Sequence, residues 1–167
     1  EQLGRERLAD LSALPTEREE WWSGRRVRLF HGRPVMDELI TVRDSSEAIM
    51  PLFQSGDDRP YDAVIYADAH RQALRTMSPG LFVNIGSVGN ALGVPMCCYA
   101  LADVVPGRDP APFEIRLRQV EYDREQAARD AENAPLLPRA QAYIREVTTG
   151  VYSRKGIVEK KVDGTFA

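Results

Sequence analysis

The sequence predicts a mixed α/β fold, and two strand-like segments support this prediction most directly. Residues 26–30 alternate polar and apolar side chains and run into His-Gly, as a strand does when it ends in a loop. Residues 61–66 are a short, mostly apolar run, which is typical of a strand buried on both faces. Segments of helical periodicity alternate with these strands. In such a fold the loops at strand ends carry the functional site.

Four further segments have helical patterns. Residues 2–14 place leucines at helical spacing and end at a proline, and residues 46–54 follow the N-capping run Asp-Ser-Ser. Residues 124–132 and 139–147 are shorter amphipathic runs, the second ending near a glycine. The intervening segment 16–24 is polar apart from two tryptophans, so the first clear strand is predicted at residue 26.

The remaining strands are predicted from turn residues and alternation. Residues 75–77 and 81–84 flank Ser-Pro-Gly and predict a hairpin, which leads into a loop with two glycines over residues 84–90. Residues 96–101 and 113–122 supply two more strands, which we expect to pair in antiparallel fashion. The basic C-terminal tail is interpreted as a solubilising end.

Composition limits the class of protein. The 167 residues are 43% hydrophobic and 28% charged, which predicts one domain over residues 1–167 with a substantial core. The net charge is −3, from 22 basic and 25 acidic residues, and gives no general attraction to nucleic acid or to an anionic membrane. Any recognition of phosphate must therefore be local.

The compartment is predicted from the cysteines and from the absence of apolar segments. Cys97 and Cys98 are adjacent, and neighbouring residues rarely reach disulfide geometry, so two reduced thiols are expected. The sequence contains no long apolar run and no apolar signal-peptide core near its first residue. We therefore predict a cytoplasmic protein without a membrane segment. Because a helical pattern is already under way at the first residues, we also expect further residues upstream.

Both histidines of the chain immediately follow a strand-like run. Ligands of α/β folds bind beyond the carboxyl ends of strands, and neutral imidazole commonly ligates zinc, manganese or iron, so His31 and His70 are candidate metal ligands. Asp68 precedes His70 by two residues, and in an extended segment the two side chains would point the same way. The alternative, favoured by spacing alone, is that each histidine is an ordinary loop residue with a satisfied hydrogen bond.

Two residues are candidates for binding a phosphate group. Arg33 follows His31 closely, and a guanidinium matches the geometry of phosphate oxygens. Ser87 lies in the glycine-containing loop and has a hydroxyl that can donate to such an oxygen, although the simpler interpretation is that it satisfies its own turn. Arg26 and Arg28 alternate with apolar residues and are predicted to form a solvated strand face.

Three segments, in the same order and at similar separations, resemble signatures of the calcineurin-like metallophosphoesterase superfamily, in its small bacterial and archaeal branch. The family has a strand ending in His-Gly, a strand ending in Gly-His-x-His, and then Asn-Pro-Gly-Ser-Val-Gly. The corresponding segments here are residues 30–34 (FHGRP), 65–71 (IYADAHR) and 83–89 (VNIGSVG). The resemblance covers roughly residues 8–132 and corresponds to the C-terminal portion of the family fold.

The resemblance implies an α/β/β/α sandwich of mixed sheets, here apparently without its N-terminal half. It further implies a phosphatase or phosphodiesterase with two divalent ions (manganese, magnesium, zinc or iron), acting on a phosphate-ester small molecule or a nucleotide. His31 would ligate the second metal and His70 the first. Asp68 occupies the place of the second metal's other histidine, and a carboxylate shifts preference towards harder ions such as manganese.

The family motifs of the first half do not occur in residues 1–30, the part of the sequence that precedes the His-Gly strand end. They are Asp-x-His, a Gly-Asp whose carboxylate bridges the metals, and Gly-Asn-His followed by an acid. Two adjacent cations activate a water for attack on phosphorus, and a pair cannot be held without the bridging carboxylate. Two hypotheses follow: a metal-dependent phosphoesterase represented by its second half, or a catalytically lapsed relative that binds or regulates. The sequence indicates neither the substrate nor the oligomeric state.

Overall fold

The structure is a computed structural model that describes residues 4–134 and 140–153. These residues form two compact units. The first contains the described residues up to Ala69 together with the ranges Leu74–Val83 and Asp103–Glu114. The second contains His70–Ala73, Asn84–Ala102 and the described residues from Ile115 onwards. The single domain inferred from chain length stays a prediction.

A five-stranded mixed sheet organises the first unit. The elements in chain order are helix α1 (Gly4–Ser12), strands β1 (Glu17–Trp22) and β2 (Arg25–Phe30), helix α2 (Ser46–Ile49), a 3-10 helix (Met50–Phe53), and strands β3 (Ala63–Tyr66), β4 (Ala73–Thr76) and β5 (Leu81–Asn84). The strand order is β1-β2-β3-β5-β4, with β1 antiparallel and β3 parallel to β2. The parallel pairing brings the carboxyl ends of β2 and β3 to the same edge of the sheet.

Most of the predicted elements of this unit are confirmed. Strands β2 and β3 fall where alternation and apolar character predicted them, and all four residues of β3 are buried. The predicted hairpin closes through Met77 and Gly80, each of which donates its N–H to the other's carbonyl, at 2.7 and 3.2 Å. The helix predicted over 46–54 changes to 3-10 geometry at Met50, because Pro51 has no N–H to continue the α-helical pattern.

Strand β1 was not predicted, and the expectation of a polar connection over 16–24 is wrong. The acidic side chains of β1 pair with arginines on β2. Glu17 lies 2.6 Å from Arg28, and Glu19 lies 2.7 Å from Arg26. Charged residues of both signs are typical of an edge strand whose cross-strand neighbours are opposite charges. The polar composition of residues 16–24 therefore did not indicate a strand, because the ion pairs between β1 and β2 form only when the two strands are paired.

The prediction that Arg26 and Arg28 form a solvated face is also wrong. Arg26 is only 9% exposed, and its guanidinium donates to Glu19, to Asp57 and to the carbonyl of Arg59. Arg26, with help from Ser55, holds the pKa of the Asp57 carboxyl at about 2, below its usual range. Burying a guanidinium is tolerated only because several acceptors compensate its lost hydration.

The core of the first unit lies against this sheet. Tyr66 stacks on Phe82 with ring centroids 4.7 Å apart and on Phe30 at 5.8 Å. The segment following β2 and the short helices cover this aromatic stack. Besides the three stacked rings, the buried residues of the core include Met36, Ile49, Leu52, Phe53, Tyr61, Val64, Ala69 and Met77. A core of this kind fixes the ends of β2 and β3, where the candidate residues lie.

The second unit contains the two-stranded sheet of β6 (Cys97–Asp103) and β7 (Glu114–Val120), and the helices α3 (Arg124–Asn133) and α4 (Ala140–Thr149). These elements confirm the predicted strand pair and both predicted helices. Asp123 caps α3 by accepting from the N–H of Gln126 at 2.8 Å. The basic part of the C-terminal tail lies outside the described residues.

None of the helices in the part of the chain that the structure describes is both long enough and apolar enough to span a bilayer.

Candidate functional site

The carboxyl ends of β2 and β3 bring His31 and Asp68 to one edge of the sheet. The ladder between the strands ends with Phe30 opposite Tyr66, and the N–H of Ala67 then donates to the carbonyl of His31 at 3.2 Å. The Asp68 carboxylate lies against Gly32: a Cβ added to that glycine would be 2.6 Å from Oδ2 of Asp68. Both His31 and Asp68 are exposed. An imidazole and a carboxylate are thus both exposed at the same edge of the sheet.

The backbone around Asp68 differs from the extended segment expected from the sequence, and that expectation is wrong. Asp68 has φ +67° and His70 has φ +54°, both in the left-handed region. The N–H of Ala69 donates to the carbonyl of Ala67 at 2.8 Å, which closes a tight turn around Asp68. The strand alternation rule therefore does not apply to these two side chains. Left-handed residues other than glycine are uncommon and occur preferentially at functional sites.

We predict that Gly32→Ala displaces the Asp68 carboxylate and destabilises the first unit. The new methyl group would meet Oδ2, Cγ and Cβ of Asp68 at 2.6, 2.8 and 2.9 Å, and the Cβ atom cannot rotate away. Overpacking of this kind costs about 1–3 kcal/mol of the free energy of unfolding. Urea denaturation followed by circular dichroism measures it.

Gly56→Ala is the matched control, because nothing lies within 4 Å of a Cβ at Gly56. We expect that change to stay within about 0.5 kcal/mol of the wild type. Equal stability of the two variants would show that Asp68 does not pack against Gly32.

The second unit contains His70 and the loop that carries Ser87. The N–H of Leu92 donates to the carbonyl of His70 at 2.9 Å. The Gln72 amide donates to the carbonyls of Tyr99, at 2.8 Å, and of Ile85, at 3.4 Å. The segment that begins at His70 is thereby attached to both ends of the loop. The hydrogen bonds made by the Leu92 N–H and the Gln72 side chain therefore connect the segment that contains His70 to the loop that contains Ser87.

The Ser87 loop, defined as residues 84–93, has a specified conformation. Oδ1 of Asn84 accepts from the N–H of Gly86 at 2.9 Å, and the carbonyl of Ser87 accepts from the N–H of Cys98 at 3.0 Å. Gly86 has φ +82°, and a Cβ there would lie 2.6 Å from Cβ of Cys98. Glycine is therefore required at position 86 for both backbone conformation and space.

The hydroxyl of Ser87 takes part in its own turn and still has a proton to donate. Its oxygen accepts from the N–H of Asn90 at 3.1 Å, so the interpretation that the serine satisfies the turn is correct as far as it goes. Among residues 4–134 and 140–153 no acceptor is found for the hydroxyl proton. The side chain is half-buried, so a ligand oxygen at the loop surface can take that proton.

Arg33 follows the His31-Gly32 turn, as the sequence predicted, and its side chain is exposed. Its Nη2 donates to the carbonyl of Asp37 at 2.9 Å. The assignment of Arg33 to the substrate stays a prediction.

Sequence reasoning missed two residues of the second unit, Asn90 and Glu146. Glu146 lies on α4 and is fully buried, and it accepts from the Asn90 side chain at 2.8 Å. The available signal was weak: Glu146 is next to Val147 on the apolar face of an amphipathic helix. A glutamate in that setting is normally interpreted as the border of a solvated face.

No family model matches the sequence, and no curated protein matches it either. Solved structures do match. A hypothetical protein from Pyrococcus horikoshii OT3 superposes with a TM-score of 0.68 at 19% identity, over 91% of this chain and 57% of that protein. A metallophosphoesterase from Sphaerobacter thermophilus superposes with a TM-score of 0.61 at 18% identity, over 90% of this chain and 63% of that enzyme.

The chain has the metallophosphoesterase fold. The five-stranded mixed sheet and the four helices within the described ranges agree with the fold expected from the three sequence signatures. The chain spans only 57% and 63% of the lengths of the two solved structures. At this level of identity the likeness establishes the fold and leaves activity to experiment.

The residues present do not make the two-metal centre that the metallophosphoesterase resemblance implies. Within residues 4–134 and 140–153, no group of three or more His, Cys, Asp or Glu side chains is arranged to hold a metal ion. A catalytic zinc site takes three protein ligands and a structural site takes four. His31 and Asp68 supply two potential donors at one edge of the sheet in the first unit, which is fewer than such a site needs.

Proposed function

We propose that the chain contributes to the metal-dependent hydrolysis of phosphate esters, with a phosphate-ester small molecule or a nucleotide as substrate. The observation that carries this proposal is the position of His31 and Asp68 at the ends of two parallel strands in a metallophosphoesterase fold, with the Asp68 carboxylate against Gly32. His70, two residues further along the chain, is a further proposed ligand. His31 and Asp68 would be part of a ligand set, and a complete centre needs more donors than the described residues supply.

The roles proposed for the chain's own residues follow from their chemistry. Neutral imidazole and ionised carboxylate are both ligands for divalent cations, and the carboxylate favours manganese or magnesium over zinc. In the second unit, Ser87 would donate its hydroxyl proton to a phosphate oxygen, and in the first unit, the Arg33 guanidinium would bind a phosphate by charge-assisted hydrogen bonds. A bound divalent ion would supply a water of lowered pKa.

The second candidate function is a lapsed metallophosphoesterase-like protein that binds or regulates. The observation that favours it is the lack of a three-ligand group in the described parts of the chain. Metal content separates the two candidates: saturation with manganese after supplementation supports the enzyme, and no bound ion supports the lapsed protein.

A substitution series at Asp68 tests the ligand assignment. We expect Asp68→Ala to weaken Mn²⁺ binding by about tenfold or more, because it removes one charged ligand from an already partial set. Asp68→His should keep binding and shift preference towards Zn²⁺. Isothermal titration with each metal provides the readout, and hydrolysis of bis-p-nitrophenyl phosphate provides the activity.

Asp58→Ala is the matched control, since Asp58 is an exposed loop acid of the same unit. It should leave Mn²⁺ affinity unchanged. If Asp68→Ala behaves in the same way as Asp58→Ala, Asp68 is only a loop acid and the proposed metal role is excluded.

A further inference from the structure

A fully buried carboxylate organises the second unit. Glu146 on α4 has no solvent exposure. Oε1 accepts from the backbone N–H of Ser153 at 3.0 Å and from its hydroxyl at 3.3 Å. Oε2 accepts from Nδ2 of Asn90 at 2.8 Å. Because a buried glutamate is costly unless its oxygens are hydrogen-bonded, these contacts fix the side chain strongly.

Asn90 connects this carboxylate to the Ser87 loop. The residue is 7% exposed, and its backbone N–H is the group that donates to Oγ of Ser87. Oδ1 of Asn90 is buried and has no hydrogen-bond partner among the residues described. The amide is therefore oriented by the carboxylate, which accepts from Nδ2 and leaves Oδ1 on the other side.

The hydrogen bonds from Asn90 to Glu146 and to Ser87 limit the directions in which the Ser87 hydroxyl can donate its proton. With Asn90 held by Glu146, the Asn90 N–H occupies one acceptor position on Oγ of Ser87. The hydroxyl hydrogen is then left for another acceptor. A loop released from Glu146 would lose this hydrogen bond, and Ser87 would rotate freely.

We infer that Glu146 is a positioning residue that, through Asn90, holds the Ser87 loop so that the Ser87 hydroxyl donates to a phosphate oxygen. This inference rests on the proposed function, because that function supplies the phosphate. Glu146 itself touches no substrate. It acts through two hydrogen bonds, from Asn90 to Glu146 and from Asn90 to Ser87.

Reversing the polarity of the Asn90–Glu146 hydrogen bond tests the connection. Asn90→Asp removes the donor and places a second carboxylate against the first. We expect hydrogen–deuterium exchange over residues 87–93 to accelerate at least tenfold, and the affinity for orthophosphate to fall by a similar factor. Glu146→Gln alone should have a small effect, since the Asn90 amide can turn and offer its unpartnered Oδ1 to the new amide.

The double variant Asn90→Asp/Glu146→Gln should restore the loop. The amide introduced at position 146 donates to the carboxylate introduced at position 90, while its oxygen still accepts from Ser153. Exchange and orthophosphate affinity should return to within about threefold of the wild type. Rescue of this kind is not expected if each side chain only fills space. A double variant no better than Asn90→Asp would overturn the inference.

Ser87→Ala separates positioning from general stability. If the effect passes through Ser87, Asn90→Asp should not lower orthophosphate affinity further in the Ser87→Ala background. A full additional loss there would overturn the inference. Should the Asn90→Asp chain fail to fold by circular dichroism, Asn90→Ala replaces it, because that change removes the donor without adding a charge.

The phosphate role of Ser87 and the positioning role of Glu146 are tested by different measurements. No orthophosphate binding by the wild type would overturn the phosphate role of Ser87 and count against the proposed function. The exchange pattern would still decide whether Glu146 holds the loop, since it requires no ligand. Normal orthophosphate binding with an unaffected loop in Asn90→Asp would overturn only the positioning role.

Discussion

Gly80→Ala is expected to cost about 3 kcal/mol or more of the free energy of unfolding, which is towards the upper end of single substitutions. A Cβ at Gly80 would overlap the carbonyl oxygen of Asp62 and lie 2.5 Å from its carbonyl carbon. These are backbone atoms of the segment entering β3, so no side chain can rotate to make room. The same Asp62 carbonyl accepts from the N–H of Leu81 at 3.1 Å, which places it in the β3–β5 contact. Separating the two strands would therefore break the centre of the sheet.

Equilibrium urea denaturation measures this cost, with Gly56→Ala as the control that adds the same methyl group in open space. The expected difference between the two variants is several times the error of such a measurement. If the two variants unfold at the same urea concentration, β3 and β5 do not approach as closely as the structure shows.

Asp68→Gly is expected to reduce Mn²⁺ affinity by at least about tenfold while leaving the apo-protein as stable as the wild type, within about 1 kcal/mol. Asp68 has φ +67°, a conformation that glycine adopts without a steric cost and most other residues do not. The gain from relieving that conformation offsets the greater chain entropy of glycine in the unfolded state. The variant therefore loses a ligand without losing the fold.

Asp68→Asn is the matched variant for charge, since asparagine also tolerates the left-handed region and keeps one oxygen acceptor. We expect it to bind Mn²⁺ more weakly than the wild type and more strongly than Asp68→Gly. Metal titration by calorimetry, with stability measured in the presence of a chelator, gives both quantities. If the Asp68→Gly variant binds Mn²⁺ with wild-type affinity, the Asp68 carboxylate is not a ligand of the metal ion.

Local sequence signals predicted the central strands of the sheet. The apolar run of residues 61–66 predicted β3, and the Ser-Pro-Gly turn predicted the hairpin. In both cases a few consecutive residues determine the local backbone conformation, so a short stretch of sequence was sufficient. Strand β1 could not be predicted from its own residues, because glutamates are typical of a solvated segment. In the folded sheet these glutamates form ion pairs with arginines of β2. Cross-strand charge pairs are a tertiary property, which a local pattern does not contain.

The candidate site was predicted only in part, for the same reason. The position of His31 and Asp68 after two strands placed them at one sheet edge once those strands proved to be parallel neighbours. The left-handed turn at Asp68 and His70 was not predictable, because aspartate and histidine adopt that conformation only occasionally and no local pattern marks it. Burial of Glu146 depends on Asn90 and Ser153, which approach it only in the folded chain.

Anomalous diffraction from crystals of the chain saturated with Mn²⁺ shows whether His31 and Asp68 bind the same metal ion. We predict a manganese peak bonded to the His31 imidazole and to the Asp68 carboxylate, at the carboxyl ends of β2 and β3. The peak should disappear in crystals of Asp68→Ala grown in the same way. Well-ordered His31 and Asp68 side chains with no manganese between them at saturating Mn²⁺ would exclude the proposed metal-ligand role of these two residues.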